Sequence, residues 1–288
     1  MSIIERAIKA AREKAPATVT ESAPASPKKG TAQVHRVTPV ARPTHSSTVE
    51  PVAFPQFSTG GSLVTEAADR KVYEQFRRLK RPLLQCAFGP LAAPGSQVIM
   101  VTSPLQGVGK TFVASNLAFV LALEKDRNVL LIDTDNANPT LTRQLGMTGR
   151  PGLYDLLGNP EMTLEQAVCP TDVPGLWVLP AGTTATDSLE LLNSQRCQET
   201  FQNLLDRDPG GLIIFDAPPL LVTNEAPAVT VLAGQFLLVV EAGRTPRSSV
   251  THSLELLDQK KPVGLVLNKA PDRGNPGSYY PYPYPYPG

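Results

Sequence analysis

The run Gly107-Val108-Gly109-Lys110-Thr111 constrains this chain more than any other feature. Gln97-Val98-Ile99-Met100-Val101 stands before it and reads as a short buried strand. Phe112, Ser115, Asn116, Ala118, Phe119, Ala122 and Leu123 follow it at helical spacing. Strand, glycine-rich turn, Lys-Thr and helix, in that order, make a phosphate-binding loop. The glycines let backbone N–H groups turn inward on a polyphosphate, and the helix N-terminus adds partial positive charge. Lys110 then reaches the β and γ phosphates, and the Thr111 hydroxyl ligates Mg²⁺. Residues 107–112, Phe112 included, are the expected nucleotide-binding segment. The usual pattern asks for glycine five residues before Gly109, where Pro104 stands instead.

Apolar runs recur at 97–101, 129–132, 176–179, 212–215, 236–240 and 263–267, with helical stretches at 109–124, 187–207, 224–233 and 246–260. Such alternation predicts an α/β fold, a mainly parallel sheet with helices on both faces. Ligands of these sheets bind outside the carboxyl ends of the strands. Gly107, Asp133, Asp216 and Asn268 all fall at those ends.

The flanks differ in character. Residues 1–14 place Ile3, Ile4, Ala7, Ile8 and Ala11 on one side of an amphipathic helix. Residues 15–61 are rich in Pro, Ala, Ser and Thr without period, and read as a disordered tether. The remainder, 62–270, reads as the P-loop domain and opens with a helix expected over 65–81 whose second half is basic and which stops before Pro82. The formal net charge is only +1, and no nucleic-acid partner is expected. Cys86, Cys169 and Cys197 are odd in number and widely spaced, which suits reduced buried thiols better than disulfides or zinc. No apolar run approaches the roughly 20 residues of a membrane span. The opening residues mix acidic and basic groups, unlike a secretory signal. The expectation is a cytoplasmic protein, peripheral to the membrane.

Two strand ends carry acids. Leu130-Leu131-Ile132-Asp133-Thr134-Asp135 supplies a pair, and Leu212-Ile213-Ile214-Phe215-Asp216-Ala217-Pro218-Pro219 supplies one before a rigid turn. Mg²⁺ takes oxygen ligands, with one or two carboxylates and several waters. Asp216 suits a ligand or a role through water; Asp135 suits metal binding or contact with a nucleophile. A tyrosine phenol is neutral at pH 7 and needs an acceptor for its proton as a new bond forms. Asp133 is the candidate acceptor. Asn268-Lys269 lacks the acid of a guanine-reading motif, since Pro271 occupies that position. Asn268 therefore reads adenine or caps the strand end.

Residues 271–288 form a Tyr/Pro tail holding five of the chain's seven tyrosines: Tyr279, Tyr280, Tyr282, Tyr284 and Tyr286. Alternating proline forbids helix and central strand, so the tail is expected to be extended, with a reach on the order of 50 Å. Modification of all five would add roughly −8 to −10 charges.

Together, the phosphate loop, the double-Asp strand, the Asp-Ala-Pro-Pro strand and the tyrosine cluster resemble the bacterial tyrosine kinases, P-loop proteins of the partitioning-ATPase type. More narrowly, Met1-Ser2-Ile3-Ile4-Glu5-Arg6-Ala7 and the stretch from Tyr73 to Leu84 are similar to the exopolysaccharide-locus autokinases of exosortase systems. The resemblance implies that Lys110 and Thr111 bind ATP and Mg²⁺, that Asp133 and Asp135 form a second Walker-like motif, and that Asp216 is the Walker B acid. It also implies a homo-oligomer, with Glu74 and Arg77 packing between subunits of a ring. A membrane-embedded polysaccharide co-polymerase as activator and a cognate phosphotyrosine phosphatase are implied as partners. Two departures stand out: Ala137 where the family carries Arg, with Arg143 the nearest replacement, and Tyr73 at the first place of the oligomer motif. The rival readings are a partitioning-type ATPase, whose signature lysine is absent from Leu105-Gln106, and a nucleotide-binding regulator with weak or no kinase activity, which Ala137 keeps open.

Overall fold

The computed structural model describes residues 51–54, 63–65, 69–90, 92–125 and 127–271. The helix expected over 1–14, most of the tether and the tyrosines of the tail lie outside these residues.

Seven strands form one sheet: β1 Val98–Thr102, β2 Val129–Asp133, β3 Cys169–Pro170, β4 Leu176–Leu179, β5 Leu212–Asp216, β6 Gln235–Glu241 and β7 Val263–Asn268. Their order is β3-β4-β2-β5-β1-β6-β7, parallel throughout except that β3 runs antiparallel to β4. β1 lies between β5 and β6, so the loop leaving it emerges at the middle of the sheet. Alternate side chains of β1 enter opposite layers. Ile99 and Val101 pack with the helix that follows, while Val98 and Met100 pack with Phe215 and Phe236 on the other face. Burial on both faces explains why the strands read as unbroken apolar runs.

The helices are α1 Arg70–Phe88, α2 Lys110–Ala122, α3 Thr140–Gln144, α4 Leu153–Gly158, α5 Leu164–Ala167, α6 Ser188–Leu192, α7 Gln195–Arg207, α8 Glu225–Leu232 and α9 Arg247–Glu255. The stretch read as one helix over 187–207 is two. Ser194 stops the first and caps the second, its hydroxyl accepting from the Cys197 N–H at 3.1 Å.

α1 departs from the 65–81 expected. It starts after Asp69, whose carboxylate accepts from the Val72 N–H at 3.1 Å, and continues through Pro82. Proline inside a helix costs about 3 kcal/mol. Leu83 and Ala87, buried with Phe76 on one face against α2, offset that cost. The ring of Phe76 meets that of Phe112 edge-on, centroids 5.9 Å apart.

Within the stretch read as a tether, residues 51–54 are described. Val52 and Phe54, at 7% and 0% exposure, belong to the core. The Val52 N–H donates to the Pro170 carbonyl at 2.9 Å, and the Phe54 N–H donates to Asp172 Oδ1 at 2.9 Å. Two apolar residues suffice to seat this segment beside β3. Of the three cysteines, Cys169 and Cys197 are buried and Cys86 is half-buried; all are free thiols. Burial pushes the Cys197 thiol up to about 12.

Candidate active site

Gly107 and Gly109 both take left-handed backbone, at φ 78° and 96°. That conformation strains any residue with a Cβ. At Gly109 a Cβ would also collide with the Asn268 amide nitrogen. Pro104, standing where the loop pattern asks for glycine, is accommodated by a turn of its own: Ser103 Oγ donates to the Leu105 carbonyl at 2.6 Å. The loop base is laced to the turn after β5, with Thr102 Oγ1 donating to the Pro218 carbonyl at 2.8 Å and the Leu220 N–H to the Ser103 carbonyl at 2.8 Å. The two proline-bearing turns thus support each other.

A cavity of about 670 Å³ opens over this loop. Gly107, Gly109, Lys110, Thr111 and Phe112 form its floor. Asp135, Ala137 and Asn138 form one wall with Thr140 and Gln144 of α3; Pro219, Val222 and Thr223 form another; Asn268 and Lys269 close the end at β7. Val108 does not line the cavity. Its side chain is turned into the core at 3% exposure.

The three acids have different surroundings. Asp135 faces the cavity, and its Oδ1 accepts from the Asn138 N–H at 3.0 Å. Burial raises its pKa, opposed by that hydrogen bond and by the Lys110 charge. Asp216 is buried, and the neighbouring Thr111 hydroxyl favours its charged form. Burial lifts it to about 6 against the pull of Lys110. One of its oxygens, Oδ1, is buried with no hydrogen-bond partner. An unsatisfied buried carboxylate oxygen beside a threonine hydroxyl fits the oxygen-donor set that Mg²⁺ or its bound water requires.

Asp133 corrects the expectation made for it. It has 0% exposure and does not line the cavity. Its Oδ2 accepts from both the N–H and the hydroxyl of Thr142, at 2.9 and 2.7 Å, and its Oδ1 accepts from the Asp135 N–H at 3.2 Å. Burial and the neighbouring Asp216 charge raise it to about 8. So enclosed, the Asp133 carboxyl holds the 135–142 segment in place. Thr142, which sequence reasoning missed, completes this arrangement by accepting from the Ala181 N–H at 2.9 Å. Asn136, also missed, exchanges two hydrogen bonds with the backbone of Ala185. Neither residue belongs to a periodic pattern or a recognisable motif.

Asn268 lines the cavity and donates through Nδ2 to the Val108 carbonyl at 2.8 Å. Ala137 leaves the wall without the family's cation. Arg143 does not line the cavity: it donates to Asn138 Oδ1 at 2.6 Å and Thr140 Oγ1 at 3.3 Å, and acts on Asp135 only through its charge. Glu74 and Arg77 are paired at 2.9 Å on the exposed side of α1, away from the cavity. Tyr279, Tyr280, Tyr282, Tyr284 and Tyr286 lie outside the described residues.

Residues 96–255 match the family described as AAA domain. The chain is 31% identical over 182 residues to the tyrosine-protein kinase ptk of Acinetobacter johnsonii, covering 62% of this chain and 24% of that protein. It therefore spans only about a quarter of the length of that relative. To the tyrosine-protein kinase CpsD of Streptococcus agalactiae it is 31% identical over 195 residues, 64% of this chain and 82% of CpsD. Among solved structures, the kinase domain of the Escherichia coli tyrosine kinase ETK superposes with a TM-score of 0.61 at 26% identity, covering 75% of this chain and 84% of that one. No helix among the described residues is long and apolar enough to cross a membrane. With a phosphate loop at the centre of a parallel sheet and 31% identity to a relative, CpsD, of which it covers 82%, the chain belongs to the bacterial tyrosine kinases.

Proposed function

We propose that this protein is an ATP- and Mg²⁺-dependent tyrosine autokinase that phosphorylates Tyr279, Tyr280, Tyr282, Tyr284 and Tyr286. The observation that carries this reading is that Asp135 shares one cavity with Lys110 and Thr111, in a chain that holds five of its seven tyrosines within residues 279–286. Lys110 and the loop N–H groups bind the phosphates of ATP. Thr111 and Asp216 would supply oxygen donors for Mg²⁺, which when bound neutralises charge on the phosphates and leaves Asp135 to face the nucleophile. The phenolic oxygen attacks the γ-phosphorus, the bond to the β–γ bridging oxygen breaks, and ADP departs with that electron pair. The phenolic proton passes to Asp135, whose raised pKa suits it to the task. Phosphoryl transfer asks the protein chiefly to position groups and offset charge.

A tail as extended as its alternating prolines predict would reach on the order of 50 Å, enough for transfer within one subunit or between subunits. Glu74 and Arg77, paired on the outer side of α1, are the residues through which a second copy would pack. Such a kinase would work on the cytoplasmic face of the membrane, associated with a polysaccharide co-polymerase that activates it and opposed by a phosphotyrosine phosphatase, in control of exopolysaccharide export. Ala137 in the cavity wall favours one second reading, a nucleotide-binding regulator with little transfer. Incubation with Mg-ATP separates the two. Phosphotyrosine in residues 279–286, lost in Lys110→Ala, supports the kinase; nucleotide binding with a bare tail, in the presence of the co-polymerase's cytoplasmic segment, supports the regulator.

A further inference from the structure

Lys269, just past β7, is the only non-glycine residue with positive φ among the described residues, at 55°. A residue with a side chain keeps that conformation where its surroundings over-determine it. Here the turn delivers the Lys269 ammonium to two acceptors: the Gly107 carbonyl at 2.7 Å and Glu241 Oε2 at 3.2 Å. Glu241, at the end of β6, is itself buried and paired with Arg244 at 3.3 Å. Burial works against its charge, yet Lys269 and Arg244 hold its carboxyl below the usual range.

The neighbouring Asn268 binds the next carbonyl along, that of Val108. Two successive side chains therefore hold two successive carbonyls of the phosphate loop. In a trans peptide the C=O and the following N–H point in opposite directions. Fixing the Gly107 oxygen against Lys269 aims the Val108 N–H the other way, and fixing the Val108 oxygen against Asn268 does the same for the Gly109 N–H.

We propose that Lys269 is a positioning residue of the nucleotide site: its ammonium, held by Glu241, orients the Gly107–Val108 peptide so that the Val108 N–H faces the phosphates. The proposal rests on the cavity being a nucleotide site. Its chemistry is that of a brace, not of a base reader, and it uses the Asn-Lys pair without the acid that guanine recognition needs.

Calorimetric titration of Mg-ATP into the full-length protein tests it, with thermal midpoints recorded alongside. Lys269→Met is expected to weaken binding about 10-fold, the scale of one lost charge-assisted hydrogen bond. Lys269→Arg is expected to restore most of the loss. Glu241→Gln is expected to weaken binding several-fold and to add nothing when combined with Lys269→Met, since both act through one contact. Should Lys269→Met not fold, Glu241→Gln carries the test alone. If wild-type protein fails to bind Mg-ATP, the nucleotide reading itself falls. If wild type binds and Lys269→Met binds equally well, or loses thermal stability with affinity unchanged, the positioning role is refuted.

Discussion

Asp133 and Asp216 are paired in register at the ends of the adjacent parallel strands β2 and β5, two buried carboxyls side by side. Asp133 spends both oxygens on Thr142 and Asp135, while Asp216 keeps one oxygen unpartnered. Structure and chemistry are divided between them. Asp133 shapes the wall that presents Asp135, and Asp216 stands behind Thr111 at the loop that grips phosphate.

Both carboxyls have raised pKa values, to about 8 and about 6. In the nucleotide-free protein the folded state holds protons that the unfolded chain has released above pH 4. Their contribution is therefore complete below the ordinary carboxylate range and is lost as pH rises above it through the raised range of the pair. Urea midpoints of the metal-free protein should fall between pH 5.5 and 8. Asp216→Asn, which removes the mutual repulsion, should flatten that decline; an identical slope in the variant would contradict the pairing.

Thr142 links Asp133 to the Ala181 backbone. Thr142→Val keeps the shape but strips the hydroxyl from both partners, and should cost about 1–3 kcal/mol in chemical denaturation. Thr142→Ser should recover most of it.

The two loop glycines should differ. Gly107→Ala meets nothing within 4 Å and suffers only backbone strain, about 1–2 kcal/mol. Gly109→Ala adds a collision with the Asn268 side chain. Mg-ATP affinity should therefore fall further in Gly109→Ala than in Gly107→Ala, as read by calorimetry.

Pro82 is exposed within α1. Pro82→Ala restores a backbone donor at an exposed position and should stabilise the fold by about 1–3 kcal/mol. A lower melting midpoint in this variant would show that the proline serves the packing of Leu83 and Ala87.

What could be read from the sequence, and what could not, follows from the physics of each element. The central strands and α2 were legible because strands buried on both faces read as apolar runs and because Gly-Lys-Thr marks the start of the helix. α3, α4 and α5 were not, since four to six residues hold too little periodicity to declare a helix. Val52 and Phe54 sit in a Pro/Ser/Thr-rich stretch, where two apolar residues cannot announce burial. Pro82 argued for a helix end, and only the packing of Leu83 and Ala87 on α2 overrides it. In the site, the loop and Asp135 and Asp216 could be named from their strand ends. The enclosure of Asp133 could not be read, because it depends on Thr142, a residue no motif marks.

The central claim is that a phosphoryl group passes from ATP in this cavity to the tail's phenols with Asp135 taking the proton. It is tested most directly by mapping phosphotyrosine over residues 279–286 in single-turnover reactions of wild type, Asp135→Asn and Lys110→Ala, with the co-polymerase's cytoplasmic segment present. The account predicts labelled tail tyrosines in wild type, none in Lys110→Ala, and a rate lower by about 10²-fold or more in Asp135→Asn that still binds Mg-ATP. Wild-type protein that turns over ATP while every tail phenol stays unmodified, or Asp135→Asn that labels its tail at the wild-type rate, would contradict it.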